Sequence, residues 1–341
     1  MAERKPKRSL PPGVVPSGSR HHGEDRESQV RAKPRRRAET PAEPTEHSNL
    51  TARATPAERA RFLVGELVDL GPQSQAPVVR QLLPLGNLAL EELLRAFPGP
   101  LWRPSLATDS RLPRPEEISA CAAALDAFGD EAIPYLSRLM RSSSAEVRYY
   151  ATVVCAAYAN RRLVEPLAQV ALDEDRECRR VALHLLSSYE HEPLYRAALA
   201  GMRKHASDVA IPIGTRRRAI SALTQLRDEA SAALFVELLA DPDRGIGTAS
   251  RVGLRVLTAH DFGFSREPWL RWLSERGQEI RIQWLIEGLG DSRTNIRLLA
   301  SRELWRLTRF LQPLSETADR EAFVEAQQHY QRWWAKRSPL G

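Results

Sequence analysis

The side chains that perform chemistry are present in this sequence but do not gather into a reactive pattern. His184, His191, His205 and His260 are scattered, with no Cys or carboxylate at ligand spacing, and His21-His22 is an adjacent pair of poor geometry for a metal. Cys121, Cys155 and Cys178 include no CxxC pair, and each lies in an Ala-, Val- and Leu-rich context. An odd, scattered set of this kind points to buried free thiols in a reducing cytoplasm, not to a disulfide framework or a zinc site. There is no Gly-rich phosphate loop, no GxSxG elbow and no HExxH helix. The acidic pairs Glu116-Glu117 and Asp130-Glu131 begin helical stretches, where the positive helix end accounts for them without acid–base work. No catalytic residue, metal or cofactor is therefore expected, and the chain reads as a non-enzyme.

The residue that does recur is arginine. A five-residue unit, a small or β-branched residue followed by Arg, two variable positions and Ala, appears as Val147–Ala151, Cys178–Ala182, Thr215–Ala219 and Ile296–Ala300. A degenerate copy stands at Ile246–Ser250. The first three alanines are spaced by 31 and 37 residues, the length of one helix–turn–helix unit. Between Thr248 and Ile296 an insertion adds most of a further helix. The other helix of each unit carries an early proline, Pro134 and Pro166, placed where a missing N–H is tolerated. Asp173 and Asp291 precede two of the arginine helices, where a carboxylate can cap.

These motifs need helices, and the composition supplies them. Leu, Ala and Val dominate the apolar content, which is 42% of 341 residues, and aromatics are only 6%. Residues 1–55 are rich in Pro, Ser, Arg and Glu, with 12 Lys/Arg against 7 Asp/Glu, so they hold +5 of the formal +7 and leave +2 for the remaining 286 residues. Such a segment buries too little to offset chain entropy, and we read it as a disordered basic tail whose densest cluster is Arg35-Arg36-Arg37. Its charge suits a solvated linker, and it can also attract nucleic acid or an anionic membrane surface. From Pro56, with Thr55 as a cap, Phe62, Leu63, Leu67 and Leu70 recur at helical spacing. Short helical segments then follow nearly to the C-terminus. No signal peptide and no membrane-spanning run is seen, which places the chain in the cytoplasm as an expectation.

Pro134 and Pro166 in first helices, with the Asp turn and the Val/Ile-Arg-x-x-Ala pattern at Val147–Ala151 and Ile296–Ala300, resemble the HEAT repeat, including its bacterial variety related to the HEAT-like repeats of phycobilin lyases. The likeness covers roughly 57–310 and is clearest over 129–190. It implies an all-α, α-α superhelix: a right-handed solenoid of antiparallel helix pairs with a curved inner face. The tail would occupy 1–55, the repeat array 56–310, and a capping helix segment 311–341. Trp269 and Trp272, and again Trp333-Trp334, resemble the paired-tryptophan caps of bacterial HEAT arrays, and as structural residues they would plug the open end of the stack.

In such stacks the repeated arginine tends to pair with a carboxylate of the next repeat, which is the reading taken for Arg148, Arg179, Arg216 and Arg297. The second helices tend to line the concave side. At 100° per residue Val147, Ala151, Val154 and Tyr158 face inward, and Tyr149, Arg180 and Arg217 face away, with Val153, His184 and Ser221 one turn on. Tyr149, Arg180, His184, Arg217 and Ser221 are the candidate binding residues. The leading functional expectation is a protein–protein scaffold with an unidentified partner. The alternative is a nucleic-acid binder or HEAT-like DNA glycosylase, favoured by Arg216-Arg217-Arg218, Arg180 and the tail but opposed by the near-neutral body. A chromophore-lyase-like role rests on the family analogy alone.

Overall fold

A computed structural model describes residues 54–102, 111–276 and 279–337, and these are α-helix, short 3-10 turns and loop, with no strand among them. Helices α1 (Pro56–Val68), α2 (Ala76–Leu82), α3 (Asn87–Ala96) and α4 (Ala120–Ala127) open the array. Antiparallel pairs follow: α5 (Ile133–Leu139) with α6 (Ala145–Val154), α7 (Val164–Val170) with α8 (Arg176–Leu186), α9 (Pro193–Ser207) with α10 (Ile213–Gln225), and α11 (Ala232–Leu238) with α12 (Arg244–Thr258). The inserted α13 (Arg266–Arg276) comes next, then the pair α14 (Arg281–Gly288) and α15 (Thr294–Thr308), and α16 (Arg320–Ala335) covers the end. The result is a helical solenoid. Nearly all of the basic tail, with His21-His22 and Arg35-Arg36-Arg37, lies outside the described residues.

Side-chain caps start several of the helices. Thr55 and Glu58 form a capping box: the Glu58 N–H donates to Thr55 Oγ1, and the Thr55 N–H donates to Glu58 Oε2 at 2.8 Å. Ser144, Asp175 and Asp243 each accept the backbone N–H three residues on, opening α6, α8 and α12. The capping aspartate before α8 is thus Asp175 and not Asp173, and α15 has Arg293 at its N-cap position with no side-chain cap, so Asp291 does not fill that role. Asp173 instead accepts the Asp175 N–H and a bidentate pair from Arg148 at 2.7 and 2.8 Å. Burial opposes the charge on Asp173, but the Arg148 and backbone hydrogen bonds outweigh it and hold the carboxyl below its ordinary pKa.

The repeated arginines prove to be turn locks. Arg148, Arg179 and Arg297 each donate to two carbonyls of the turn just before their own helix. Two of the four also reach the expected carboxylate of the next pair, Arg148 on Asp173 and Arg216 on Asp241 at 2.5 Å. Arg179 has no such ion pair among the described residues, because the long α9 runs through the stretch where the other pairs carry a turn aspartate. Arg297 lies instead over the Phe323 ring of α16. Tyr158 and Tyr189 add a second periodic bond, since each hydroxyl donates to a carbonyl of the preceding unit, Leu125 and Tyr158 respectively.

Ala151, Ala182, Ala219 and Ala300 are all completely buried, and Ser250 takes the same place in the degenerate copy. Around them the core is built mainly of leucines such as Leu67, Leu90, Leu136, Leu186, Leu223 and Leu254, each fully buried and contributing about 2 kcal/mol relative to exposure. In α1 the buried stripe is Ala60, Leu63, Val64 and Leu67, so Phe62, expected with them, falls off the face and is 52% exposed. The apolar core is in two parts, one running from α1 to α13 and a smaller one formed by α14, α15 and α16 with Ala259.

The tryptophans divide between these parts. Trp269 and Trp272 do not close an end: with Phe262, His260 and Trp284 they fill the space between α12 and α14, as an internal wedge. Trp333 and Trp334 of α16 do lie against the last core. Where the two cores meet, the seam is polar. Glu303 of α15 accepts a bidentate pair from Arg227, at the end of α10, and a third bond from Arg281 of α14. Arg281 is almost wholly buried and also donates to the carbonyls of Leu257 and Val256.

Candidate binding face on the second helices

The surface of α6, α8, α10 and α12 is set by the same register that buries the alanines. Two residues before each buried Ala or Ser stand Tyr149, Arg180, Arg217 and Thr248. Arg180, Arg217 and Thr248 are exposed, whereas Tyr149 is half-buried against the core, its ring edge-on to Tyr150 at 5.1 Å. Burial raises the Tyr149 phenol above its ordinary pKa, with the nearby Arg180 guanidinium acting in the opposite direction. One turn further on, His184 and Ser221 are exposed, but Val153 is fully buried and leaves the row. Ser221 accepts a bond from Gln225 at 3.1 Å.

The structure brings these residues together in two groups. Tyr149 and Arg180 adjoin where α6 packs on α8, and Arg180 is paired with Glu177 at 2.6 Å. Arg217 belongs to the second group, where α10 packs on α12. Its guanidinium passes over Gly245 so closely that a Cβ there would meet Arg217 Cζ at 3.0 Å. Between the groups the contact runs mainly through the first helices, α7 on α9, and the Arg218 guanidinium donates to the Leu172 carbonyl at 2.8 Å.

Arg217, Arg244, Gly245, Thr248 and Ala249 line an open depression of about 430 Å³ between α10 and α12. Neither Arg217 nor Arg244 has a carboxylate within ion-pair distance among the described residues, and the same is true of Arg176 at the start of α8. Arg176 and Arg244 lie outside the candidate set that the repeat pattern gives. A signal for them is present in the chain: both stand at the first position of their helix, one turn before Arg180 and Thr248. The arrangement can bind anions through paired, solvent-facing guanidinium groups.

In comparison with known proteins, no family model matches the chain. No curated protein matches it either.

A second hollow, of about 590 Å³, lies between α7 and α9 on the opposite helices of the pairs. Its walls are apolar and small: Ala168, Leu172, Ala197, Ala198 and Met202, with Leu194 46% exposed at the rim. It exists because α9 has 15 residues and α7 only 7, so the longer helix stands proud of its neighbour. Among the described residues no group of three or more His, Cys, Asp or Glu is placed to hold a metal, and no helix is long and apolar enough to cross a membrane.

The cysteines are all free and buried, and burial pushes each thiol up to about 12. Thiolates are the reactive form. The native protein should therefore leave a thiol-exchange reagent unconsumed at about pH 8 and react with three equivalents only after denaturation. Fast reaction of a native thiol, followed by absorbance, would show that a helix pair opens.

Proposed function

We propose that the chain is a non-enzymatic interaction scaffold of HEAT-repeat, armadillo-like type, working in the cytoplasm, and that its second-helix face receives an acidic segment of a protein partner. One observation carries this reading. Arg217 and Arg244, on adjacent second helices, share an open depression and lack acid partners among the described residues, while the arginines inside the array are tied to carboxylates or turn carbonyls. Unpaired guanidinium groups on a rigid surface bind carboxylates with little ordering cost, because stacked helix pairs are already organised. Tyr149, with its ring anchored at the edge of the core, adds a rigid aromatic contact beside Arg180 at the other end of the face.

The test is titration calorimetry of the full chain with an Asp/Glu-rich peptide. Binding should be weak and salt-sensitive, and Arg217→Glu/Arg244→Glu should reduce it at least tenfold with an unchanged circular dichroism spectrum, an effect of about 1.4 kcal/mol or more. Equal affinity in the double variant would end the proposal. So would tight duplex DNA binding at physiological salt by a chain lacking residues 1–55, lost in Arg180→Glu/Arg217→Glu; that result would make the face a phosphate-binding one.

A further inference from the structure

The C-terminal face carries a different arrangement, one that the second-helix face does not explain. Helix α15 ends with Arg309 in the left-handed conformation, φ 52°, a position that favours glycine. An arginine there carries backbone strain, and its side chain lies over the Trp305 ring at 4.0 Å. The next residue, Phe310, is 41% exposed and stacks on Trp333 of α16 at 5.5 Å and 26°. The Arg337 guanidinium covers Trp333 at 4.6 Å. Arginine, indole and phenyl thus lie side by side, and Arg309, Phe310 and Arg337 are all exposed.

The charge around this stack is one-sided. No carboxylate lies within ion-pair distance of Arg309, Lys336 or Arg337 among the described residues. The negative end of a helix attracts cations, which accounts for Lys336 and Arg337 being at the close of α16. It does not account for the aromatic layers; the left-handed turn at Arg309 is a helix stop that Ala259 repeats after α12.

We propose that this face, formed by Trp305, Arg309, Phe310, Trp333, Lys336 and Arg337, is a stacking platform for single-stranded nucleic acid. An unpaired base would add the next layer on Phe310, and the three cations would meet the adjoining phosphates. A ligand that carries planar rings and negative charges at a regular interval matches both features. An acidic peptide matches only the charges, and duplex DNA keeps its base faces covered.

The experiment uses the full chain and a labelled oligo-dT of about 12 nucleotides, read by anisotropy and by tryptophan emission. Oligo-dT should bind and quench the emission, and duplex DNA of the same length should quench it less. Arg309→Glu/Arg337→Glu changes two surface residues and should weaken oligo-dT binding at least tenfold and flatten its salt dependence. Phe310→Ala should weaken it about tenfold, the scale of one lost base–aromatic stack, and Phe310→Trp should restore it. Because Phe310 also touches Tyr330, the arginine variant decides the matter if Phe310→Ala does not fold. The basic tail is present in every protein compared, so only differences between them are read. The proposal is overturned if Arg309→Glu/Arg337→Glu binds as the wild type does, or if the loss falls on Arg217→Glu/Arg244→Glu instead. It is overturned equally if polyphosphate or poly-glutamate displaces oligo-dT at matched charge.

Discussion

Replacing Glu303 by alanine is expected to lower the stability of the chain by about 3–5 kcal/mol, because it leaves Arg281 and Arg227 without their shared counter-charge in the seam between the two apolar cores. Arg281 is 2% exposed and cannot turn to water. Its bonds to the Leu257 and Val256 carbonyls remain, but neither supplies a negative charge. The damage should be local in its first effect. The core of α14, α15 and α16 should open before the rest, and the urea transition should be broader than that of the wild type, or split. Removing the buried partner together with the acid should recover part of the loss, so Glu303→Ala/Arg281→Met should be more stable than Glu303→Ala. If the single variant melts like the wild type, the seam does not depend on its buried counter-charge.

The same site predicts the response to acid. Burial acts to raise the Glu303 carboxyl, but the hydrogen bonds and charges of Arg227 and Arg281 outweigh it and leave it below its ordinary value. A folded pKa below the unfolded one means that the contribution is fully present above the unfolded value of about 4.3 and fades as pH falls through the folded one. Asp173 and Asp261 share this direction, each with burial opposed and overcome by arginine and backbone hydrogen bonds. The contribution of Glu303, read as the difference in urea midpoint between the wild type and Glu303→Gln, should therefore be constant above about pH 5 and shrink below about pH 4.

The run Arg216-Arg217-Arg218 shows what is legible in the chain and what is not. Helical periodicity and the recurring alanine are enough to find the pairs, the inserted helix after Thr248 and the buried alanines, because those follow from a period of 3.6 residues. The fates of three adjacent arginines do not follow from it. Arg216 is 4% exposed and bonded to Asp241, 25 residues on; Arg217 lies open over Gly245; Arg218 holds the Leu172 carbonyl 46 residues back. Each outcome depends on which neighbouring turn comes within reach. The caps are hidden for a similar reason. Asp173 and Asp175 are two residues apart and of one type, and only the position of the Arg148 fork separates the ion-pair partner from the cap. Val153 drops out of the outward row because α6 ends at Val154 and has both faces covered there, so the outward stripe is one turn shorter than the period alone implies.

Ala182→Arg should strongly destabilise the second helices. Ala182 is completely buried in α8, on the side where that helix meets α6 and α7, and its neighbours Cys178, Val181 and Leu186 are themselves without exposure. A side chain of arginine length has no room there without moving one helix off another. Overpacking of this kind costs about 1–3 kcal/mol, and a guanidinium without a partner in an apolar environment adds several more. A total of about 4 kcal/mol or greater would remove much of the stability of an ordinary domain. The matched control is His184→Arg, two residues further along the same helix. It introduces the same side chain at an exposed position, so its effect should stay within about 0.5 kcal/mol. The two variants differ only in the face of α8 they occupy, and thermal melts of both, followed by circular dichroism, read that difference directly. Equal midpoints would mean that Ala182 does not lie between helices and that the register shared by Ala151, Ala182, Ala219 and Ala300 is wrong.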